Sequence, residues 1–379
     1  MEEQIIEQQI EALEEELEQK FYEQPIAPTA QFVFCGNCFK ADTYRGCNFG
    51  CRYCFANART NNFKPNDAIA KIGLVRRWMD EALNNNNKQN MVLEFLARRV
   101  PLHLGGMSDP FQSREWKQGI TKEFLKISRE FNYPVNISTK AARLPKEYFE
   151  ILDPEIHTFQ VSLIGVTADY LLKFEGNSPA PAARMAFVQE LHERGFWVSI
   201  RIQPLIDIEE ALTLVQATDR FVDYYTVEHL KLFKTNPELV KQIMPLLADK
   251  AYPLMDDGAK WAFETRAKLE NIRALRAVTK VPIGCGDNEI HQFSDSLNCC
   301  GMDLMPPAFA NWFKYNSMYI KMTGDRTQWY PTGNCNLLLN SNLTRGGAGR
   351  YATIKEAVDD YYLQIYGPDE QLRLFGDEG

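Results

Sequence analysis

The sequence contains no run of about eighteen or more apolar residues, so it offers no stretch long enough to cross a bilayer as a helix. It also lacks an apolar stretch behind a basic start, and its nine cysteines are an odd number. A disulfide framework is therefore not expected, and a reducing cytoplasm is. Positive charge is short as well: 42 Lys and Arg stand against 50 Asp and Glu, for a net charge of −8 and a pI near 5.4. Holding nucleic acid by bulk charge needs many clustered cations that release counterions, and the chain as a whole does not have them. A local basic groove could still come from Arg76, Arg77, Arg98, Arg99 and Lys117, although a solvated helix face is the ordinary role for each. What is present suits one large globular enzyme: 379 residues, 45 % hydrophobic and 24 % charged, enough to bury a sizeable core.

Within this composition the cysteines are unevenly placed. Cys47, Cys51 and Cys54 form a CxxxCxxC triplet in the run Tyr44-Arg45-Gly46-Cys47-Asn48-Phe49-Gly50-Cys51-Arg52-Tyr53-Cys54-Phe55-Ala56-Asn57. Three thiolates are one too few for a closed metal site. On a cubane iron-sulfur cluster they leave the fourth iron open to a small molecule. A structural zinc completed by Cys35 and Cys38 is the competing reading, since such a site needs four ligands.

The first 21 residues carry Ile6, Ile10, Leu13, Leu17 and Phe21 at spacings of three and four, which predicts an amphipathic helix that docks on the body of the protein or pairs with a second copy. Pro25, Pro28 and Gly36 end it. From about 39 to 235, short β-rich runs alternate with helical stretches, with strands expected at 39–44, 100–105, 134–139, 157–163, 197–203 and 222–227. Chemistry in such folds gathers at the carboxyl ends of the strands. There the sequence reads Gly105-Gly106-Met107-Ser108-Asp109-Pro110-Phe111-Gln112 with Glu115 behind it, then Ser138-Thr139-Lys140, Gln160-Val161-Ser162-Leu163-Ile164 and Arg201-Ile202-Gln203-Pro204.

Taken in order with the cysteine triplet, these motifs resemble the radical SAM superfamily, in its spore photoproduct lyase-related, DNA repair photolyase-like branch, over roughly residues 35–235. The resemblance implies an α/β fold, a partial (β/α)6 TIM-type barrel, here with the N-terminal helix and an α-rich C-terminal extension. It divides the chain into 1–34 (helix and linker), 35–235 (barrel), 236–366 (a cysteine-containing extension completing the active-site face) and 367–379 (tail). It further implies a [4Fe-4S] cluster on Cys47, Cys51 and Cys54, and S-adenosylmethionine (SAM) near Gly105, Gly106, Ser108, Asp109, Lys140 and Ser162. Asp109 would accept from the SAM ammonium; Lys140 and Ser162 would lie near its carboxylate. An electron donor such as flavodoxin or ferredoxin is implied too. One position departs from the branch. In the lyase that names it, a cysteine two residues before the Ser-Asp pair returns hydrogen to a thymine radical, and here that position is Gly106.

The C-terminal third follows the resemblance less closely. A helical stretch is expected near 258–279, then Val281-Pro282-Ile283-Gly284 and Cys285-Gly286-Asp287-Asn288, a strand end that would put Cys285 and Asp287 on the cluster's face. His291, Asp295, Cys299, Cys300 and Cys335 follow. Three readings stay open: Cys285, Cys299, Cys300 and Cys335, with Cys35 and Cys38, hold an auxiliary iron-sulfur cluster; Cys285 is a catalytic hydrogen donor; or these are small buried hydrophobes. The tail carries Gln371-Leu372-Arg373-Leu374-Phe375, which resembles the peptide by which bacterial repair proteins dock on the sliding clamp, with Gln371, Leu372, Leu374 and Phe375 as anchors. The expectation that results is a radical SAM enzyme acting on a nucleic-acid base, thymine-derived DNA above all. Phe111, Trp116, Tyr224 or Tyr225 would stack the flipped base or else lie in the core. The alternatives are a peptide or small-metabolite substrate with an auxiliary cluster, and a non-catalytic clamp-binding protein.

Overall fold

The protein is described from a computed structural model over residues 20–29, 35–56, 68–248, 254–256 and 258–313. Its centre is one eight-stranded sheet: β1 (Ile26–Pro28), β2 (Phe39–Ala41), β3 (Leu102–Leu104), β4 (Val135–Thr139), β5 (His157–Ser162), β6 (Val198–Leu205), β7 (Tyr224–His229) and β8 (Ile283–Cys285), paired in chain order. Strands β2 to β8 are all parallel and β1 runs antiparallel along the edge. Parallel neighbours require crossovers, and helices supply them: α1 (Ile72–Leu83), α2 (Met91–Ala97), α3 (Ile120–Glu130), α4 (Ala168–Glu175), α5 (Pro181–Glu193), α6 (Ile208–Thr218) and α7 (Thr265–Val278). The end strands do not pair, so the barrel is partial.

Alternation along each strand sorts residues between two faces. Val135, Ile137, Phe159, Val161, Val198, Ile200, Ile202, Val227 and Ile283 are fully buried in the main hydrophobic core, which the crossover helices complete. Phe159 shows how it packs, meeting Phe187 of α5 and Phe196 edge-on at 6.3 and 5.3 Å; burying one such side chain stabilises the fold by about 1.5–3 kcal/mol. On α3 the buried residues Thr121, Phe124, Leu125 and Ser128 recur at three and four, the stripe of a helix lying on a sheet. The intervening strand residues are polar, and they line the inside of the barrel.

Segment 296–313 closes one end of that interior. Tyr224 Oη meets Ser296 Oγ at 2.7 Å, Thr226 Oγ1 donates to the Cys299 carbonyl at 2.9 Å, and Thr158 Oγ1 lies 3.8 Å from Met305 Sδ. Cys300, Met302, Met305, Phe309 and Trp312 form a second apolar cluster there. At the far edge Trp312 covers Gly36, where an added Cβ would sit 2.9 Å from the indole.

The six expected strands are present, and a seventh parallel strand, β8, extends the barrel. Two expectations are corrected. The stretch near 258–279 opens with a strand, Lys260–Phe263, in a small antiparallel sheet with Lys231–Phe233 and Leu254–Asp256, and its helix begins only at Thr265. Phe21 is not helical: Phe21–Tyr22 pairs with Ile69–Ala70. The rest of the N-terminal helix, Cys335 and the tail from 367 lie outside the described residues. Among the described residues no helix is long and apolar enough to cross a membrane.

Acid lability follows from buried histidines, His103 and His291 as well as His157, whose hydrogen bonds are the most complete. His157 is fully buried, its Nδ1 accepts from the Asp153 amide at 2.9 Å and its Nε2 meets Ser128 Oγ at 2.7 Å, so Nε2 carries the proton. Burial lowers its pKa from 6.5 to about 3. Between those values the unfolded chain binds the extra proton and the native one does not, so stability is full above pH 6.5 and drains away as pH falls toward 3. His157→Gln is expected to flatten this loss, which is worth up to a few kcal/mol; melting temperatures of both proteins across that range are the check.

Candidate active site

Cys47, Cys51 and Cys54 follow β2 on a loop at the carboxyl end of the parallel strands, all three half-buried. Left-handed backbone at Gly46 (φ +79) and Gly50 (φ +66) lets the loop turn. Three elements hold it. Gln112 Nε2 donates to the Gly46 carbonyl at 3.0 Å, the Arg52 amide donates to the Phe174 carbonyl at 2.8 Å, and the Asn177 amide donates to the Phe49 carbonyl at 2.8 Å. Cys51 Sγ lies 3.7 Å from Ser178 Oγ.

Burial and then Asp109 push the Cys47 thiol up to about 12, with Cys51 adding to the rise. Burial also raises Cys51, against the pull of Lys140, and Cys54 adds to it. The thiols thus act on one another, yet among the described residues no three His, Cys, Asp or Glu side chains converge on one ion. Cys38 is fully buried in the main core and Cys35 is half-buried.

A buried network stands behind Cys51. Glu175, at the end of α4, is 1 % exposed; it accepts from Arg184 Nη2 at 2.5 Å and from Tyr53 Oη, and Lys140 Nζ is 3.9 Å away. Arg184, fully buried on α5, also donates to the Ser162 carbonyl at 2.8 Å. Lys140 Nζ lies 5.7 Å from the Tyr53 ring. Glu175, Arg184 and Tyr53 were not foreseen from the sequence. A buried Glu nine residues before a buried Arg, across a helix break at Gly176, leaves no periodic trace.

The Gly105–Asp109 loop is built from inside. Gly105 has φ +92, and an added Cβ would lie 2.4 Å from the Ser138 carbonyl oxygen and 2.9 Å from Pro110. Gly105→Ala is therefore expected to cost about 2–5 kcal/mol, left-handed strain plus overpacking, read as a lowered thermal midpoint. At Gly106 an added Cβ meets nothing nearer than 3.6 Å, so this position is open. Asp42 Oδ1 accepts from the Met107 and Ser108 amides at 2.8 and 3.2 Å, and burial pushes its carboxyl up to about 6.

Ser108 and Asp109 are bonded within the protein. Ser108 Oγ donates to the Tyr44 carbonyl at 2.7 Å. Asp109 Oδ1 accepts from the Phe111 amide at 2.9 Å and Thr139 Oγ1 at 2.8 Å, and its Oδ2 from the Lys140 amide at 2.6 Å. Both oxygens are engaged, so Asp109 ties the β3 loop to the end of β4 and sets Lys140 beside the cysteine loop. Glu115 is likewise structural, accepting from Tyr44, from Tyr148 and from the amides of Thr121 and Lys122 at the start of α3.

The inner wall runs from His103 through Ser138 to Gln160, at 2.7 and 3.1 Å. On β6 and β7 Arg201 Nε donates to Gln203, Gln203 donates to Glu228, and Lys231 Nζ meets Glu228 at 2.8 Å. Ser162 ends β5 on this wall. Cys285 does not join it. Gly284 faces inward, where an added Cβ would meet the Cys299 carbonyl at 2.3 Å; Cys285 lies on the opposite face in the core, its amide donating to Ser294 Oγ at 2.8 Å. Asp287 is fully buried against His229 at 2.6 Å and Lys231 at 3.2 Å. Cys299 and Cys300 do meet, their sulfurs 3.8 Å apart, and Cys35 is near enough to affect both.

The stacking candidates are mostly committed. Phe111, Tyr224 and Tyr225 are buried, with Tyr224 bonded to Ser296 and Tyr225 to Thr218; Trp116 alone is exposed, and it lies parallel to Phe111 at 6.4 Å. Arg76 and Arg77 line one surface pocket together with Asp80 and Glu130, and most of these arginines have partners. Arg76 pairs with Glu130, Arg77 with Glu81 and Arg98 with Glu94, and Arg99 donates to backbone carbonyls.

The Radical SAM superfamily model matches residues 42–210. Uncharacterised proteins of Mycobacterium bovis and Mycobacterium tuberculosis are 22 % identical over 173 residues, 44 % of this chain and 49 % of theirs, so the chain spans about half the length of the curated relatives it matches. A point variant of spore photoproduct lyase has a TM-score of 0.50 at 13 % identity, covering 68 % of this chain and 77 % of that one. Streptococcus suis SuiB bound to its precursor peptide SuiA has a TM-score of 0.39 at 15 % identity, with 55 % and 45 % covered. At such identities the likeness to the lyase is one of fold. The matched segment, residues 42–210, spans the cysteine triplet, the glycine loop and the inner wall as far as Gln203, and it is this part of the chain that has the character of a radical SAM enzyme domain.

Proposed function

We propose that this enzyme binds a [4Fe-4S] cluster through Cys47, Cys51 and Cys54, takes SAM beside it, and modifies or repairs a nucleic-acid base, thymine-derived DNA in particular. The observation that carries this reading is the placement of three half-buried thiols at the strand ends, beside Lys140 and at the mouth of a polar-lined barrel. When bound, these cofactors supply a 5′-deoxyadenosyl radical that can take hydrogen from an unactivated carbon.

The chain's own residues do the rest. Lys140, held 3.9 Å from Glu175, keeps donors for a second anion, which suits the SAM carboxylate. Ser162 adds a hydroxyl nearby, Gly105 lets the loop turn tightly, and Ser108 and Asp109 position backbone and Lys140 rather than touch SAM. The inner wall offers the acceptors and donors that a base edge needs, from Gln160, Gln203 and Glu228. Gly106 brings no thiol, so thymine-dimer repair by hydrogen return from that position is not part of the proposal.

The test is anaerobic. Protein reconstituted with iron and sulfide is given SAM, a reductant and single-stranded or duplex DNA, and the digested DNA is examined by mass spectrometry. An altered thymidine that requires Cys51 is the expected result. Formation of 5′-deoxyadenosine with every nucleoside unchanged moves the substrate to a peptide or small metabolite. The meeting of Cys35, Cys299 and Cys300 favours that second reading, through an auxiliary cluster; iron well above about four per chain, lost on C299A and C300A substitution, supports it. We also propose that Gln371, Leu372, Leu374 and Phe375 dock on the sliding clamp, and that flavodoxin or ferredoxin donates the electron. Deleting 371–375 should weaken clamp association and leave 5′-deoxyadenosine formation intact.

A further inference from the structure

Two cations on the inner face of the barrel have no ion-pair partner among the described residues. Lys40 lies between Phe39 and Ala41, both buried in the outer core, and so takes the inner face of β2; it is in register with His103, and both lie within 4 Å of the Cβ that Gly106 lacks. Arg201 lies between the buried Ile200 and Ile202 and takes the inner face of β6. Both are half-buried. Among the described residues neither forms an ion pair, and the one hydrogen bond of the Arg201 side chain goes from Nε to Gln203, leaving its terminal nitrogens to spare.

The acidic groups on the same wall are committed elsewhere. Glu228 is bonded to Gln203 and Lys231; Asp42 feels the charge of Lys40 but forms no ion pair with it, and one of its oxygens accepts from the amides of Met107 and Ser108. His103 is held neutral, pushed down to about 3 by burial and then by Arg201 and Lys40, which shows that it feels both cations. Arg201 also pulls the Cys300 thiol down, after the contact with Cys299. Unpaired charge inside a barrel is costly unless a ligand completes it. A phosphate fits the pair: its two non-bridging oxygens can take the Arg201 fork and the Lys40 ammonium from different strands.

We propose that Lys40 and Arg201 together bind one phosphodiester of the nucleic-acid substrate, adjacent to the base being modified. This rests on the nucleic-acid reading above, and it explains how a chain of net charge −8 can hold DNA without a basic surface: these cations lie inside.

The experiment measures binding of a fluorescently labelled short oligothymidylate to the reconstituted, SAM-loaded enzyme by anisotropy, from about 50 to 200 mM salt. Lys40→Gln and Arg201→Gln are each expected to weaken binding about tenfold or more, as loss of a hydrogen bond to a charged group does, and to lower the salt slope by about 0.7. Lys40→Arg should keep most of the affinity; Lys126→Gln, which alters a surface pair with Glu123, should keep all of it. Thermal midpoints and iron content identify any variant that fails to fold.

If wild type binds and alters the oligonucleotide while both Gln variants bind equally well, the cation pair is overturned and the base reading stands. If wild type cleaves SAM but binds no oligonucleotide at any salt, the base reading falls and takes the phosphodiester site with it. Two results overturn the phosphodiester assignment alone. One is Arg201-dependent binding of glutarate without binding of thymidine 5′-monophosphate. The other is loss of SAM affinity by the same factor as oligonucleotide affinity, which assigns the pair to the SAM carboxylate.

Discussion

Cys51→Ala is expected to abolish 5′-deoxyadenosine formation, a loss larger than the ~10–100-fold that removal of an outer partner costs a metal site. Burial raises the Cys51 thiol, Lys140 pulls against that rise, and Ser178 lies at hydrogen-bonding distance. A thiol so placed needs only a metal to displace its proton. The loop itself is fixed through backbone groups at Gly46, Phe49 and Arg52, none of which uses the sulfur. The alanine variant should therefore fold, melt close to wild type and bind less iron. Iron content, melting temperature and 5′-deoxyadenosine yield together separate loss of the ligand from loss of the fold.

Arg184→Met should have the largest effect on stability, about 3–5 kcal/mol, the cost of leaving a buried carboxylate without its partner. Arg184 and Glu175 are 0 % and 1 % exposed and 2.5 Å apart. The Ser162 carbonyl loses its donor as well. Glu175 would then turn to Lys140 and Tyr53, drawing the lysine away from its free anion, so SAM affinity should fall along with stability. The double variant Arg184→Met with Glu175→Gln should recover part of the stability, since the buried carboxylate is no longer left alone, and part of the SAM affinity, since no charge then draws Lys140 away. Recovery of neither would show that packing of the guanidinium, and not its charge, holds this corner.

Much of this was legible in the sequence, and for a physical reason. The strands could be read because their outward residues are β-branched or aromatic and the turns between them are marked, and the cysteine triplet is local. Lys140 was legible as the residue after a strand end. Sequence does not show which donors a carboxylate meets inside the fold; Asp109 accepts from Phe111, Thr139 and Lys140. Cys285 was misplaced by one step of alternation: Gly284 faces the interior, so its neighbour cannot. The Glu175–Arg184 pair and the meeting of Cys35 with Cys299 and Cys300 arise from tertiary return of the chain and have no local signature.

The most direct test of the central claim is the electron paramagnetic resonance spectrum of the anaerobically reduced, iron-reconstituted enzyme, recorded with and without SAM. If Cys47, Cys51 and Cys54 hold a cluster with one iron open to SAM, the signal of the reduced cluster should change on adding SAM, and the signal should be lost in Cys51→Ala. A cluster signal indifferent to SAM, or one that survives Cys51→Ala, would contradict the account.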